Sequence, residues 1–237
     1  LYCEGVIAPS ANPSMIQDYY SERSILITGG TGFVGQALIA KILCDLPCVR
    51  QIYAFVRPRR GMEDVPGAAT HRLQQMLDTE NVFRRHREVD PENFARQAEK
   101  VVAVRWDTEK LDFGVEPSML ERMRQDVDTI FNSAATVVFD EPLDVSLRLN
   151  THGPIELLKF AASCRKRVDF VHVSTAYVNG QLTGPIAEEL LPWNRSIRQI
   201  VDPETAHIGF DPENEVEDCE AFCRAVYTDA HGSARIN

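Results

Sequence analysis

Residues 28–35 read Thr28-Gly29-Gly30-Thr31-Gly32-Phe33-Val34-Gly35, and this stretch decides the fold of the 237-residue chain. It follows a β-branched run, Ser24 to Thr28 (SILIT), which predicts a buried strand. Apolar residues at helical spacing come next, from Phe33 to Cys44. Glycines at this spacing between a strand and a helix are the fingerprint of a dinucleotide-binding turn. The first permits the tight turn, the second lets backbone N–H groups approach a pyrophosphate, and the third lets the helix pack close to the sheet.

The rest of the chain continues the alternation of strand and helix. Further strands are predicted at 51–56, 101–104, 127–134 and 168–173, and helices at 70–77, 117–124 and 143–164. Near-continuous apolar strands that alternate with helices predict an α/β fold with a doubly wound parallel sheet of the Rossmann type. We expect this sheet to be incomplete at its C-terminal side. The predicted organisation is a loose N-terminal tail (1–23), a dinucleotide-binding domain (24–195) and an acidic C-terminal segment (196–237).

Composition and charge narrow the classes of function. Thirty-five acidic against twenty-five basic residues give a net charge of −10, so we expect no nucleic-acid partner. No run of 18 apolar residues occurs, and we predict no transmembrane segment. The six cysteines form no Cys-x-x-Cys pair and predict reduced thiols without a metal. Eight acids and no Lys or Arg lie between Asp202 and Glu220, which favours a solvated face or a disordered tail, with a docking surface for a basic partner as the alternative.

The residues that follow the second and third strands predict the choice of coenzyme. A carboxylate after the second strand would bind the adenosine ribose of NAD, but this chain has Arg57 there. A guanidinium pairs with a 2′-phosphate, which predicts NADPH as the coenzyme. The alternative is that Arg57 is a solvated base of a loop. After the third strand, Asp107 is placed to accept from the adenine amino group, or else it is a surface acid.

Four segments together carry a family resemblance. They are TGGTGFVG (28–35), IYAFVRP (52–58), IFNSAATVVFDEPL (130–143) and VHVSTAYVNG (171–180). In combination they resemble the N-terminal reductase domain of alcohol-forming fatty acyl-CoA reductases, which are extended short-chain dehydrogenase/reductases. The resemblance covers roughly residues 22–195, and the stretch after about Arg198 matches the family poorly.

The resemblance implies a reaction and a set of site residues. Enzymes of this kind reduce a long-chain fatty acyl-CoA to a fatty alcohol with two NADPH and release CoA, in association with peroxisomes or the endoplasmic reticulum. A hydroxyl at Thr175, or second at Ser174, would donate to the developing oxyanion; the alternative is that these hydroxyls cap the backbone. For Asn150 the alternative is an ordinary residue on a helix face. The coenzyme contacts that we predict are Thr28, Gly29, Thr31, Gly32, Phe33, Gly35, Arg57, Asp107, Ala134, Ala135 and Asn150.

One part of the family pattern is missing from the sequence. The same enzymes use a Tyr-x-x-x-Lys pair, but no Tyr of this chain has a Lys four positions later, and Tyr227–His231 is the nearest approach. The chain begins at Leu1 rather than at Met, so we expect an incomplete form of the enzyme. Two alternatives stay open: a truncated NADP(H)-binding paralogue without turnover, and another extended short-chain enzyme such as a sugar epimerase.

Overall fold

A computed structural model describes most of the chain. The described residues are 15–62, 65–107, 111–138, 140–179, 183–189, 196, 199, 204 and 209–228. They fall into two compact units. The first unit lies within Leu1–Ala135 and His152–Val173, and the second lies within Thr136–Thr151 and Ser174–Asn237. The predicted domain boundaries at 23 and 195 remain a prediction.

A five-stranded parallel sheet lies in the first unit. Its strands are β1 (Ser24–Thr28), β2 (Gln51–Val56), β3 (Val101–Arg105), β4 (Val127–Asn132) and β5 (Asp169–His172). They are arranged in the order β3-β2-β1-β4-β5, and every neighbouring pair is parallel. In the centre, Leu26 of β1 is in register with Tyr53 of β2 and with Ile130 of β4. The predicted doubly wound α/β fold is confirmed, and the reversal of strand order at β1 places the glycine stretch at the position where such sheets bind ligands.

Seven helices of the first unit accompany the sheet in the described residues. They are α1 (Met15–Tyr20), α2 (Phe33–Asp45), α3 (Ala68–Thr79), α4 (Asn81–Val89), α5 (Pro91–Ala98), α6 (Pro117–Asp126) and α8 (Gly153–Ser163). β1 is buried along its whole length, and its side chains alternate between two cores. Ile25 and Ile27 pack in a cluster with residues of α2 and α3, whereas Leu26 packs in a second cluster with residues of α6 and α8.

The predicted helix over 143–164 is confirmed in its extent, because helical residues run without a break from Leu143 to Ser163. It is not α-helical throughout: α7 (Leu143–Leu147) leads into a π-helical turn (Arg148–His152) and then into α8. Pro154 lies in the first turn of α8 and has no N–H to donate to the carbonyl four residues earlier. The apolar periodicity of the segment does not show this lost donor, so the sequence pattern alone does not predict the π-helical turn.

The prediction of a loose tail is also wrong for residues 15–23. They contain α1, and two of their side chains bind the first residue of β5. The Tyr19 hydroxyl donates to Asp169, and the Arg23 guanidinium lies 2.8 Å from the same carboxylate. These two hydrogen bonds lower the pKa of Asp169. An anchor to a residue about 150 positions later cannot be seen in local periodicity.

The second unit contains α7 and a longer helix, α9 (Pro212–Thr228), in contact with each other. The acidic side chains Glu213, Glu215, Glu217 and Asp218 of α9 are exposed, and Cys223 is buried. For residues 212–228 the disordered-tail interpretation is therefore wrong, whereas an exposed acidic face fits both a solvated surface and a docking surface for a basic partner. Within the described residues, no helix combines the length and the apolar character needed to cross a bilayer.

The buried Tyr53 predicts a loss of stability in alkali. Burial and the hydrogen bond from its hydroxyl to Asp126 (2.8 Å) raise the pKa of Tyr53 to about 12. A folded-state pKa above the unfolded value stabilises the fold below pH 10, and this contribution disappears as the pH rises towards 12. Between these pH values we expect the free energy of unfolding to fall by about 1–2 kcal/mol more in the wild type than in Tyr53→Phe. Urea titrations at both pH values measure the difference, and equal losses in the two proteins would contradict the prediction.

Candidate coenzyme site

The glycine stretch forms a tight turn between β1 and α2. Gly29 has a φ of +65°, a left-handed conformation that favours glycine. The N–H of Gly30 donates to the carbonyl of Phe55 on β2 (3.2 Å), and the N–H of Gly32 donates to the carbonyl of Gly29 (2.8 Å). The Gln36 side chain donates to the Thr31 carbonyl (2.9 Å). These bonds fix the turn against the neighbouring strand and the first turn of α2.

Two of the glycines leave no room for a side chain. A Cβ on Gly35 would lie 2.2 Å from the carbonyl oxygen of Gly29 and 2.8 Å from Cα of Gly30. The close approach that Gly35 permits is therefore between α2 and the turn itself rather than between α2 and a strand. A Cβ on Gly29 would lie 3.1 Å from Cα of Ala134, the second residue after β4. The turn is thus packed against the end of β4 as well.

The first turn of α2 can accept an anion. Gly32 precedes the helix and supplies no side-chain cap, so the first N–H groups of this 13-residue helix have no partner within the helix. The Phe33 side chain is 92% exposed and does not cover them. Unpaired N–H groups and the helix dipole both favour a phosphate at such a terminus.

The segment after β4 approaches the glycine turn through small side chains. Ala134 is partly exposed and Ala135 is exposed. The Thr28 hydroxyl oxygen accepts from the N–H groups of Ser133 and Ala134, both at 3.0 Å, and the Ser133 hydroxyl donates to the Thr28 carbonyl at 2.7 Å. The last residue of β1 therefore holds the end of β4 in place beside the turn. The close approach of a ligand at Ala134 and Ala135 stays a prediction.

Three guanidinium groups gather at the carboxyl end of β2. Arg57 directly follows the strand and is exposed, and Arg72 of α3 donates to its carbonyl oxygen. Burial and the nearby charges of Arg59 and Arg57 lower the pKa of Arg72. Cations held this close to one another would gain free energy from an anion between them. Sequence analysis missed Arg72, because it lies 15 positions after Arg57 and no local pattern connects the two.

Asp107 lies two residues after the end of β3 and is half-buried. Its N–H donates to the carbonyl of Phe113 (2.7 Å), in a 3₁₀ turn over Leu111–Gly114. Phe113 and Gly114 both have a positive φ, of 58° and 62°. The backbone bond fixes the position of Asp107 at the carboxyl end of the sheet. Its role as the adenine-side acceptor stays a prediction.

The remaining predicted site residues belong to the second unit. The Asn150 side chain accepts from the N–H of Thr136 (2.9 Å) and donates to the carbonyl of the same residue (3.2 Å), so it holds this loop at both backbone groups. Ser174 and Thr175 are exposed. The Thr175 hydroxyl accepts from the N–H of Tyr177 (3.2 Å), which is the capping interaction weighed as the alternative. A hydroxyl that accepts at its oxygen still has a proton to donate.

Metal-ligand chemistry has little support in the described residues. In that part of the chain, no group of three or more His, Cys, Asp or Glu side chains is placed to hold a metal ion. The described cysteines, which are Cys44, Cys48, Cys164, Cys219 and Cys223, are free thiols.

Comparison with known families agrees with this geometry. A model of an NAD-binding domain, described as "Male sterility protein", matches residues 27–220. The chain belongs to this family. The match contains the whole glycine turn from Thr28 onward and extends beyond the sheet into α9. The quality of the family match after Arg198 stays a prediction.

The relatives that match this chain include fatty acyl-CoA reductases. "Probable fatty acyl-CoA reductase 5" of Arabidopsis thaliana is 37% identical over 174 residues, which are 72% of this chain and 34% of that protein. "Fatty acyl-CoA reductase 2" of Bos taurus is 33% identical over 189 residues, 80% of this chain and 35% of that protein. The resemblance inferred from the four segments is confirmed. The chain spans about a third of the length of these relatives.

Solved structures share the fold. The reductase domain of a nonribosomal peptide synthetase from Mycobacterium tuberculosis has a TM-score of 0.53 and 28% identity, over 68% of this chain and 35% of that chain. The terminal R domain of the myxalamid PKS-NRPS pathway has a TM-score of 0.55 and 24% identity, over 73% of this chain and 40% of that chain, and shows the fold alone. Both comparisons confirm the Rossmann-like architecture of the first unit.

Proposed function

We propose that this chain is the NADPH-binding reductase part of an enzyme that reduces long-chain fatty acyl-CoA to fatty alcohol. The observation that carries the proposal is the glycine turn at the strand-order reversal, with an arginine cluster at the adjoining end of β2. The overall change consumes one acyl-CoA, two NADPH and two protons, and yields an alcohol, CoA and two NADP⁺. The bound coenzyme would supply both hydrides.

The residues of the glycine turn and of the arginine cluster would bind different parts of the coenzyme. The unpaired N–H groups at the start of α2 would bind the pyrophosphate, and Gly29 would keep the turn in place by packing against Ala134. Arg57 and Arg72 would pair with the 2′-phosphate, which NADH lacks. Asp107 would accept from the adenine amino group. Asn150 would act by fixing the loop at Thr136.

The substrate class rests on the names of the relatives, which are fatty acyl-CoA reductases. A thioester carbonyl that receives a hydride develops negative charge on its oxygen, and a positioned hydroxyl stabilises that charge. Thr175 is the first candidate for this donor and Ser174 the second. Association with peroxisomes or the endoplasmic reticulum, which the resemblance implies, stays a prediction.

An NADP(H)-binding module without turnover is the second candidate function. The observation that favours it is that none of the six tyrosines is followed by a lysine four positions later, so the proton donor typical of the family has no counterpart in these residues. The two candidates share the coenzyme site and differ only in the chemical step.

One experiment separates the two candidates. The 237-residue chain is titrated with NADPH by calorimetry and then incubated with NADPH and hexadecanoyl-CoA, and hexadecanol and consumed NADPH are quantified. Two NADPH consumed for each alcohol support the reductase. Binding without any alcohol or aldehyde supports the module. Absence of NADPH binding contradicts both candidates.

If the chain turns over, substitutions at Thr175 test the proposed donor. We expect Thr175→Ala to lower kcat about 100-fold, because removal of one oxyanion donor typically has an effect of this size. The dissociation constant of NADPH should stay within about threefold, since the hydroxyl would act on the substrate rather than on the coenzyme. Thr175→Ser should restore most of the activity. The matched control is Ser174→Ala, and a larger loss in that variant would transfer the role to Ser174.

A further inference from the structure

A line of hydrogen bonds, buried at Thr28 and Asn132 and exposed at His172, joins the carboxyl ends of β1, β4 and β5. The Thr28 hydroxyl lies 2.7 Å from Oδ1 of Asn132, and Nδ2 of Asn132 lies 2.9 Å from Nδ1 of His172. Thr28 is completely buried, and Asn132 is only 3% exposed. In addition, the N–H of Val173 donates to the carbonyl of Asn132 (2.9 Å). Buried polar groups of this kind have few alternative partners, so each one constrains the next.

The backbone N–H groups bound to Thr28 determine which group donates and which accepts in each of these hydrogen bonds. The Thr28 hydroxyl oxygen already accepts from two N–H groups, those of Ser133 and Ala134, and a hydroxyl has only two lone pairs. Its third interaction must therefore be a donation, and the acceptor is the amide oxygen of Asn132. If the side-chain amide of Asn132 were flipped, its NH₂ group would face the Thr28 hydroxyl oxygen, which already accepts two hydrogen bonds.

The orientation of Asn132 in turn determines the state of His172. Since the NH₂ group of Asn132 faces Nδ1 of the ring, Nδ1 must accept and cannot carry a proton. We infer that Asn132, oriented by Thr28, is a positioning residue that selects the His172 tautomer with its proton on Nε2. This ring then presents Nε2–H as a donor to an acceptor oxygen at the carboxyl end of β5, and Nδ1 is not available as a base.

The same residues connect this ring to the glycine turn. Thr28 directly precedes Gly29, and its hydroxyl and carbonyl bind the segment that carries Ala134. A coenzyme bound at the glycine turn would therefore perturb the same hydrogen bonds that orient Asn132. This consequence rests on the proposed function, whereas the tautomer of His172 follows from the hydrogen bonds alone.

The test is the ring ¹⁵N spectrum of the histidine-labelled full chain, with His172→Gln used to assign the signals. Protonated and unprotonated ring nitrogens resonate far apart, so the spectrum reports the tautomer directly. In the wild type at pH 8 we expect an unprotonated Nδ1 and a protonated Nε2. The Nδ1–H form as the main tautomer would overturn the inference.

Three substitutions, two at Thr28 and one at Asn132, test whether Thr28 orients the His172 ring through Asn132. Thr28→Ser keeps the hydroxyl and should preserve the Nε2–H form. Thr28→Val removes the hydroxyl and should give a mixture of tautomers, because Thr28 acts on the ring through Asn132. Asn132→Asp replaces the donor with an acceptor and should move the proton to Nδ1. An unchanged His172 tautomer in both Thr28→Val and Asn132→Asp would overturn the inference that Thr28 and Asn132 orient the ring. The ring signals of His86, on α4, show whether each variant is folded.

Addition of NADPH separates this inference from the proposed function. If both hold, NADPH shifts the His172 ring signals in the wild type and much less in Thr28→Val. If NADPH does not bind, the proposed function fails, but an Nε2–H ring in the unliganded protein still supports the positioning role of Asn132.

Discussion

Gly35→Ala should weaken NADPH binding by about 100-fold or more, which corresponds to about 2.7 kcal/mol. The added Cβ would lie 2.2 Å from the carbonyl oxygen of Gly29 and 2.8 Å from Cα of Gly30, and both of these neighbours are backbone atoms. The turn must therefore shift away from α2. Such a shift misdirects the N–H groups that would bind the pyrophosphate, because those groups belong to the same turn. Calorimetric titration with NADPH measures the change.

The matched control for this substitution is Gly209→Ala. A Cβ at Gly209 meets no atom within 4 Å, and this glycine does not have a left-handed conformation. We expect its NADPH affinity to equal that of the wild type within about twofold. Circular dichroism of both variants shows whether the sheet is retained. A folded Gly35→Ala protein with the affinity of the wild type would show that the coenzyme binds elsewhere.

The double substitution Arg57→Ala/Arg72→Ala should remove most of the preference for NADPH over NADH. Hydrogen bonds from charged groups contribute about 1.5–3 kcal/mol each, so the loss of two guanidinium partners of the 2′-phosphate predicts at least about a 100-fold weaker binding of NADPH. Binding of NADH should change by less than about threefold, because its ribose carries no phosphate. The ratio of the two dissociation constants is the measured quantity.

Single variants resolve the contribution of each arginine. Arg72→Ala also removes the hydrogen bond to the carbonyl of Arg57, so we expect its effect on NADPH to include a loss of order after β2. The control is Arg84→Ala, since Arg84 is exposed on α4 and its charge lies 3.9 Å from Glu88. Equal losses of NADPH and NADH affinity in the double variant would show that the arginines bind a phosphate common to both coenzymes.

Much of the fold was predictable because its signals are local. The apolar run before Gly29 and the helical spacing after it define one strand-turn-helix unit within about 20 residues. Arg57 could be found because it directly follows a strand, where its neighbours in sequence fix its position in the sheet. Anchors between distant segments were not predictable. The bond of Tyr19 to Asp169 shows why, since no sequence period connects residues so far apart.

The sequence by itself determined the alternation of strands and helices, the glycine turn and the cation after β2, because each depends on residues close together in the chain. The tertiary structure alone decided that Arg72 joins Arg57, that Asn150 holds the loop at Thr136, and that Thr28 orients Asn132 towards His172. For the last of these contacts the physical reason is the parallel sheet. It brings the carboxyl ends of strands that are far apart in sequence to a single edge, where hydrogen bonds act over a few ångströms and not along the chain.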